Sequence, residues 1–164
     1  MAKFVAALPT EVLKDVDFLQ NNCIDIFKGM TKAGAQVAAQ NMKAGALRAF
    51  KGDTAAKMNT KLKVTKSYET KKGEITTAAR YYGYIARKDG SRVKIKGNFY
   101  PGVPIPLLGN LVEFGVKSSR MPQQFKEYWD GQKHPFVRPA FSDTRGISEA
   151  MLQTQKELSK GLLE

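Results

Sequence analysis

The sequence predicts an α+β domain, with a long N-terminal helix and a C-terminal helix packed on an antiparallel sheet of three to five strands. Three observations predict it. Apolar residues recur in steps of four and three from Val12 to Val37, the period then switches to two from about residue 61, and a helical period returns after Phe141. A chain of 164 residues fits one domain, 1–164, and is long enough to bury its own core.

The first helix begins near Thr10, a candidate N-cap with Pro9 before it and Glu11 in the first turn, where the helix dipole favours an acid. Val12, Val16, Leu19, Cys23, Ile26, Met30, Ala33 and Val37 lay one stripe along it, widened by Leu13, Phe27, Ala38 and Met42. Gly29 and Gly34 predict a kink or short break near the middle. Residues 45–60 are rich in Gly, Ala and Lys and lack a period, which predicts a connecting loop. Beyond it Leu62, Val64 and Tyr68 alternate with Lys61, Lys63 and Thr65, as on a strand. Lys71-Lys72-Gly73 reads as a turn, and residues 74–85 as a second strand rich in Thr and Tyr. Asp89-Gly90 is a hairpin signal, followed by a third strand in which Val93 and Ile95 alternate with Arg92, Lys94 and Lys96. Three prolines in Tyr100–Pro106 predict an irregular segment, because they remove donors and fix the backbone. Leu107 to Phe114 reads as a short helix or strand. Phe141, Ile147, Met151, Leu158 and Leu162 then fit a closing helix capped by Ser142 or Asp143.

The net charge of +12 is unevenly spread. Residues 1–42 carry four charges of each sign, residues 43–96 carry fifteen basic and four acidic groups, and residues 97–164 carry eight and seven. Nearly all of the excess therefore lies in the middle third. Lys57, Lys61, Lys63, Lys71, Lys72, Lys94 and Lys96 are the candidate contacts to a partner protein or to DNA phosphates. The alternative is a solvated face that keeps the chain soluble. Lys outnumbers Arg there and no recognition helix is identifiable, so any contact with nucleic acid would be non-specific.

Catalysis finds little to work with. Cys23 and His134 are the only residues of their kinds, which excludes an intrachain disulfide, a Cys-clustered zinc site and a multi-histidine metal cage. No phosphate-binding glycine loop is present. The expectation is a non-enzymatic chain with no cofactor and no metal. Met1–Leu8 is basic and then apolar, but Pro9 and Glu11 cut the run too short for a signal peptide, and no stretch is long enough to cross a bilayer.

Two further segments belong together. One is Leu111-Val112-Glu113-Phe114-Gly115; the other is His134-Pro135-Phe136-Val137-Arg138-Pro139-Ala140-Phe141, leading into the last helix. With the Gly34-Ala35 helix, the Lys-rich hairpin and Tyr81-Tyr82-Gly83-Tyr84 in this order, the chain resembles the phage tail-component family that includes the head–tail joining and tail-completion proteins of long-tailed siphophages. The resemblance spans roughly residues 8–160. It implies a structural virion protein at the head–tail junction or upper tail, made in the host cytoplasm and acting as one subunit of a ring. Its partners would be its own copies and other neck and tail proteins, with no membrane contact; the basic excess of residues 43–96 would then face either packaged DNA, non-specifically, or acidic surfaces of adjoining ring proteins. A non-specific nucleic-acid-binding protein using residues 43–96 is the alternative.

The motif residues also have a physical reading. Gly115 permits positive φ after an element ending at Phe114. Pro135 and Pro139 are expected to hold the chain extended, with Phe136 and Phe141 in the core and Glu113 and Arg138 as an ion pair. The chain departs from the family in having Val116 where Thr is usual and in the long run from Lys117 to Lys133. That run carries Phe125, Tyr128 and Trp129, which either pack on their own domain or form an arm toward a neighbouring subunit.

Overall fold

The computed structural model describes residues 10–87, 89–117 and 123–160, with the side chains of 10–13 and 124 also left aside. The expectations for Met1–Leu8, for the side chains of Thr10, Glu11, Val12 and Leu13, and for Leu162 lie outside these described residues. The architecture is mixed helix and antiparallel sheet, as the sequence predicts. α1 (Thr10–Ala49) is a single 40-residue helix, about 60 Å long. α5 (Thr144–Leu158) packs along it, and the two are joined at one end by Asn41 donating to the Asp143 carboxylate at 3.0 Å. Asp143 is also the cap of α5, accepting the Gly146 N–H at 3.1 Å.

Gly29 and Gly34 do not break α1. They are close-approach points. A Cβ on Gly34 would lie 3.1 Å from Ile147 and Met151 side-chain atoms, and one on Gly29 would lie 2.6 Å from a Leu158 methyl. The expected loop at 45–60 is likewise mostly helical. α1 runs through Gly45 to Ala49, and α2 (Thr54–Asn59) buries Thr54, Ala55 and Met58. Tertiary packing overrides composition here. Gly45 lies against Phe136, whose Cβ would sit 2.9 Å from any Cβ at that position, so glycine lets the ring onto the helix.

The sheet departs most from expectation. It consists of four separate two-stranded antiparallel pieces, with no continuous sheet of three to five strands among the described residues. β1 (Leu62–Val64) pairs with β4 (Ala79–Tyr81), with Lys63 opposite Arg80. β2 (Tyr68–Glu69) pairs with β3 (Ile75–Thr76) around the Lys71-Lys72-Gly73 turn, with Gly73 at φ +78°. β5 (Tyr84–Ile85) pairs with β8 (Val103–Pro104), and β6 (Val93–Ile95) with β7 (Asn98–Tyr100). The expected second strand is thus cut into three, in part by Gly83 at φ +76°.

Asp89-Gly90 makes a local turn, with the Gly90 N–H on the Arg87 carbonyl, but does not close a hairpin. The hairpin closes instead at Lys96-Gly97, both at positive φ. The proline segment is also more ordered than predicted. Pro104 sits in a two-residue strand and Pro106 in the first turn of α3 (Ile105–Phe114), where no helical N–H is needed.

One core unites these pieces. Met42, Ala46 and Phe50 of the α1 end meet Met58, Tyr81, Ile85, Val93, Val103, Ile105, Leu108 and Val112. Trp129, Phe125, Tyr128 and Phe136 complete it. Lysines stand on the outer positions of the strands: Lys63 and Lys94 are exposed, each beside more buried neighbours.

Candidate functional site

The two motif segments form a single structural unit, and Glu113 makes it. Glu113 is only 4% exposed, on the last turn of α3. Its Oε2 accepts the backbone N–H groups of Phe136 (2.8 Å) and Val137 (2.9 Å), and its Oε1 accepts that of Arg138 (3.0 Å). These N–H groups begin α4 (Val137–Ser142), whose own N-cap residue, Phe136, offers no side-chain cap. An acid from a different helix therefore satisfies the open donors of this one, and its charge faces the positive end of the helix dipole. Burial pushes the Glu113 carboxyl upward, but the three N–H groups and the Arg138 charge outweigh it, so the carboxyl lies below its ordinary range.

Two expectations about this junction are corrected. First, Glu113 binds the backbone of Arg138 and not its guanidinium. That group lies 4.9 Å over the Phe114 ring centre, and the pair makes no direct ion contact. Second, Pro135 and Pro139 do not hold the segment extended, because helix begins at Val137. Pro139 sits in the first turn, where its missing N–H costs nothing, and Glu113 serves the three N–H groups just before it.

Phe136 enters the core, with its ring edge-on to Phe50 at 5.4 Å and tilted against Tyr81 at 6.1 Å. Phe141 does not follow it and remains 45% exposed. Gly115 has φ +75°, as anticipated, and its N–H closes α3 on the Leu111 carbonyl at 2.8 Å. The His134 N–H on the Val112 carbonyl (2.9 Å) ties the segments a second time.

Phe125, Tyr128 and Trp129 are buried in the chain's own core and do not project as an arm. Trp129 donates its indole N–H to the Gln132 carbonyl. His134 braces the same turn, its Nε2 3.1 Å from Asp130 Oδ2. Burial raises the Asp130 carboxyl, but the Gln132 N–H and His134 outweigh this and leave it below its usual range.

The candidate contact lysines are dispersed over several elements. Lys57 of α2 pairs with Asp53 at 2.7 Å. Lys61 precedes β1 and Lys63 lies on it opposite Arg80, while Lys71 and Lys72 occupy the β2–β3 turn. Lys94 stands over Phe99 at 5.5 Å, and Lys96 forms the β6–β7 turn at φ +48°. A concavity lined by Lys51, Asp53, Lys57, Glu127 and Tyr128 mixes both signs of charge. Among the described residues, no three His, Cys, Asp or Glu side chains come together as metal donors, and no helix is long and apolar enough to cross a membrane.

Comparison with protein-family models, with curated proteins and with solved structures finds no match to this chain. The Glu113 clasp is not anticipated from the sequence, although one signal for it exists there. An acid standing alone in an apolar helix, Leu-Val-Glu-Phe, either faces water or is buried on donors.

Proposed function

We propose that this chain is a structural virion protein of a tailed phage, joining or completing the head–tail junction as one subunit of a ring. The observation that carries the reading is the Glu113 clasp. Glu113 lies in one of the two segments on which the family resemblance rests and its three donors lie 23–25 residues on in the other, so one buried carboxylate fastens the segments together. They therefore act as one architectural unit, which is what a shared family pattern would preserve. The large exposed apolar side chains, among them Val16, Leu19, Phe27 and Phe99, suit a chain that works by contact with other proteins. The test is electron microscopy of particles made without this protein. Unjoined heads and tails, or tails with an unfinished upper end, are expected; normal joined particles would overturn the proposal.

A second reading, non-specific nucleic-acid binding, draws on the exposed Lys63, Arg80 and Lys94 at outward strand positions. It predicts DNA binding by the isolated chain that falls steeply with salt. Binding unchanged by salt, or no binding in dilute salt, would remove it.

A further inference from the structure

Among the described residues, the apolar stripe of α1 outruns its cover. α5 reaches only as far as Gly29, where Leu158 packs, whereas α1 begins at Thr10. Ile26 is buried, but Val16, Leu19 and Phe27 are about half exposed along the same line, and Cys23 lies between them partly exposed. Charge sets this half of the helix apart from the rest of the chain. Residues 10–29 hold Glu11, Asp15, Asp17 and Asp25 against Lys14 and Lys28, a net of −2 in a chain of net +12, with Lys28 paired to Asp25 at 3.4 Å. Asp15 and Asp17 are exposed and have no ion-pair partner among the described residues.

A complementary surface exists elsewhere on the molecule. The β6–β7 hairpin carries Arg92, Lys94 and Lys96 and no acid, and its outward face presents Phe99, 62% exposed, beneath the Lys94 ammonium. Phe99 and Lys94 are directly opposite in register, so they form one apolar spot rimmed by positive charge. We infer that the exposed half of α1 in one copy of this chain docks on the Lys94–Phe99 hairpin of the next copy.

The occupant is a second copy in a head-to-tail arrangement for an electrostatic reason. Two α1 tips meeting each other would oppose −2 to −2, whereas tip against hairpin joins opposite signs over apolar side chains. Such a contact uses different surfaces on its two sides, so it repeats and closes into a ring or runs on as a filament. This rests on the ring reading proposed above and gives that ring its contact.

The lone cysteine makes the test direct, because Cys23 sits on the docking stripe. Asn98→Cys adds a second thiol beside the Lys94–Phe99 spot and leaves both of those residues in place. Treatment of the purified full chain with a short bismaleimide is expected to give a ladder beyond the dimer, with the peptide masses showing Cys23 linked to the introduced thiol at position 98. The unaltered chain should remain at the monomer band. Adding Phe99→Asp to the Asn98→Cys chain should reduce the ladder at least tenfold, with the circular dichroism spectrum unchanged. Absence of products, products that stop at the dimer, or a ladder joined only 23-to-23 and 98-to-98 would each overturn the inference. Failure of the parent reading would look different: particles lacking the protein would still be joined, whatever the ladder shows.

Discussion

Removing the Glu113 carboxylate probes the feature that organises the C-terminal third of the chain. In Glu113→Ala the N–H groups of Phe136, Val137 and Arg138 lose their acceptor together. The Phe136 N–H is buried, and stranding such a donor costs about 1–3 kcal/mol. The other two are partly open to water, which can replace the carboxylate in part, at about 1 kcal/mol each. The expected loss is about 3–5 kcal/mol, or roughly 10 °C in melting temperature for a domain of this size. Glu113→Gln keeps one carbonyl oxygen for two of the donors but turns an amide N–H toward the third, so it should lose about 2 kcal/mol.

Urea denaturation of the three proteins measures this directly. A Glu113→Ala chain within about 0.5 kcal/mol of the parent would refute the reasoning, since that is the range of an ordinary surface change. The pH dependence gives an independent check. The folded-state value of the Glu113 carboxyl is depressed, so its stabilisation is complete above the ordinary carboxylate range and is lost as pH falls through the folded value. The gap between parent and Glu113→Gln should therefore be constant near neutrality and shrink below about pH 4. A gap that widened with acid would contradict the assignment.

Other outcomes follow from the same geometry. Arg138→Ala removes a guanidinium from the Phe114 ring and leaves the clasp's hydrogen bonds intact, so it should cost only about 0.5–1 kcal/mol and couple only weakly, through its charge, to Glu113→Ala; strong coupling in a double-mutant cycle would restore the ion-pair reading. Gly45→Ala drives a Cβ into Phe136 and should destabilise by about 1–3 kcal/mol despite better helix propensity. Gly29→Ala presses on the far end of the flexible Leu158 side chain and makes ordinary contact with the Thr154 methyl, so it should be near neutral or stabilising, and equal melting temperatures for these two variants would contradict the packing. Trp129 is 1% exposed and is the chain's sole tryptophan, so its emission should be blue-shifted when folded and move red in a single step on unfolding; red emission from the native protein would place the indole in water.

Periodicity and turn chemistry were legible in advance because they are local. The α1 helix, a cap at Ser142 or Asp143 (Asp143 in the structure), the Lys71-Lys72-Gly73 turn and the positive φ of Gly115 all depend on residues a few positions apart. What the sequence by itself determined was the class: helical ends around antiparallel strands, with a basic middle third. The tertiary structure decided everything that depends on distant partners. Gly29, Gly34 and Gly45 are helix interiors and not breaks, because α5 and Phe136 press against them. Pro139 sits in the first turn of α4 and does not prevent it, while a carboxylate 25 residues before Arg138 accepts the N–H that precedes the proline. Ile85 pairs with Val103 and not across Asp89-Gly90, since a strand's partner is chosen by what buries its side chain and not by the nearest turn signal. Local pattern specifies which elements can form; only the packed chain specifies which backbone donors and apolar faces those elements must satisfy.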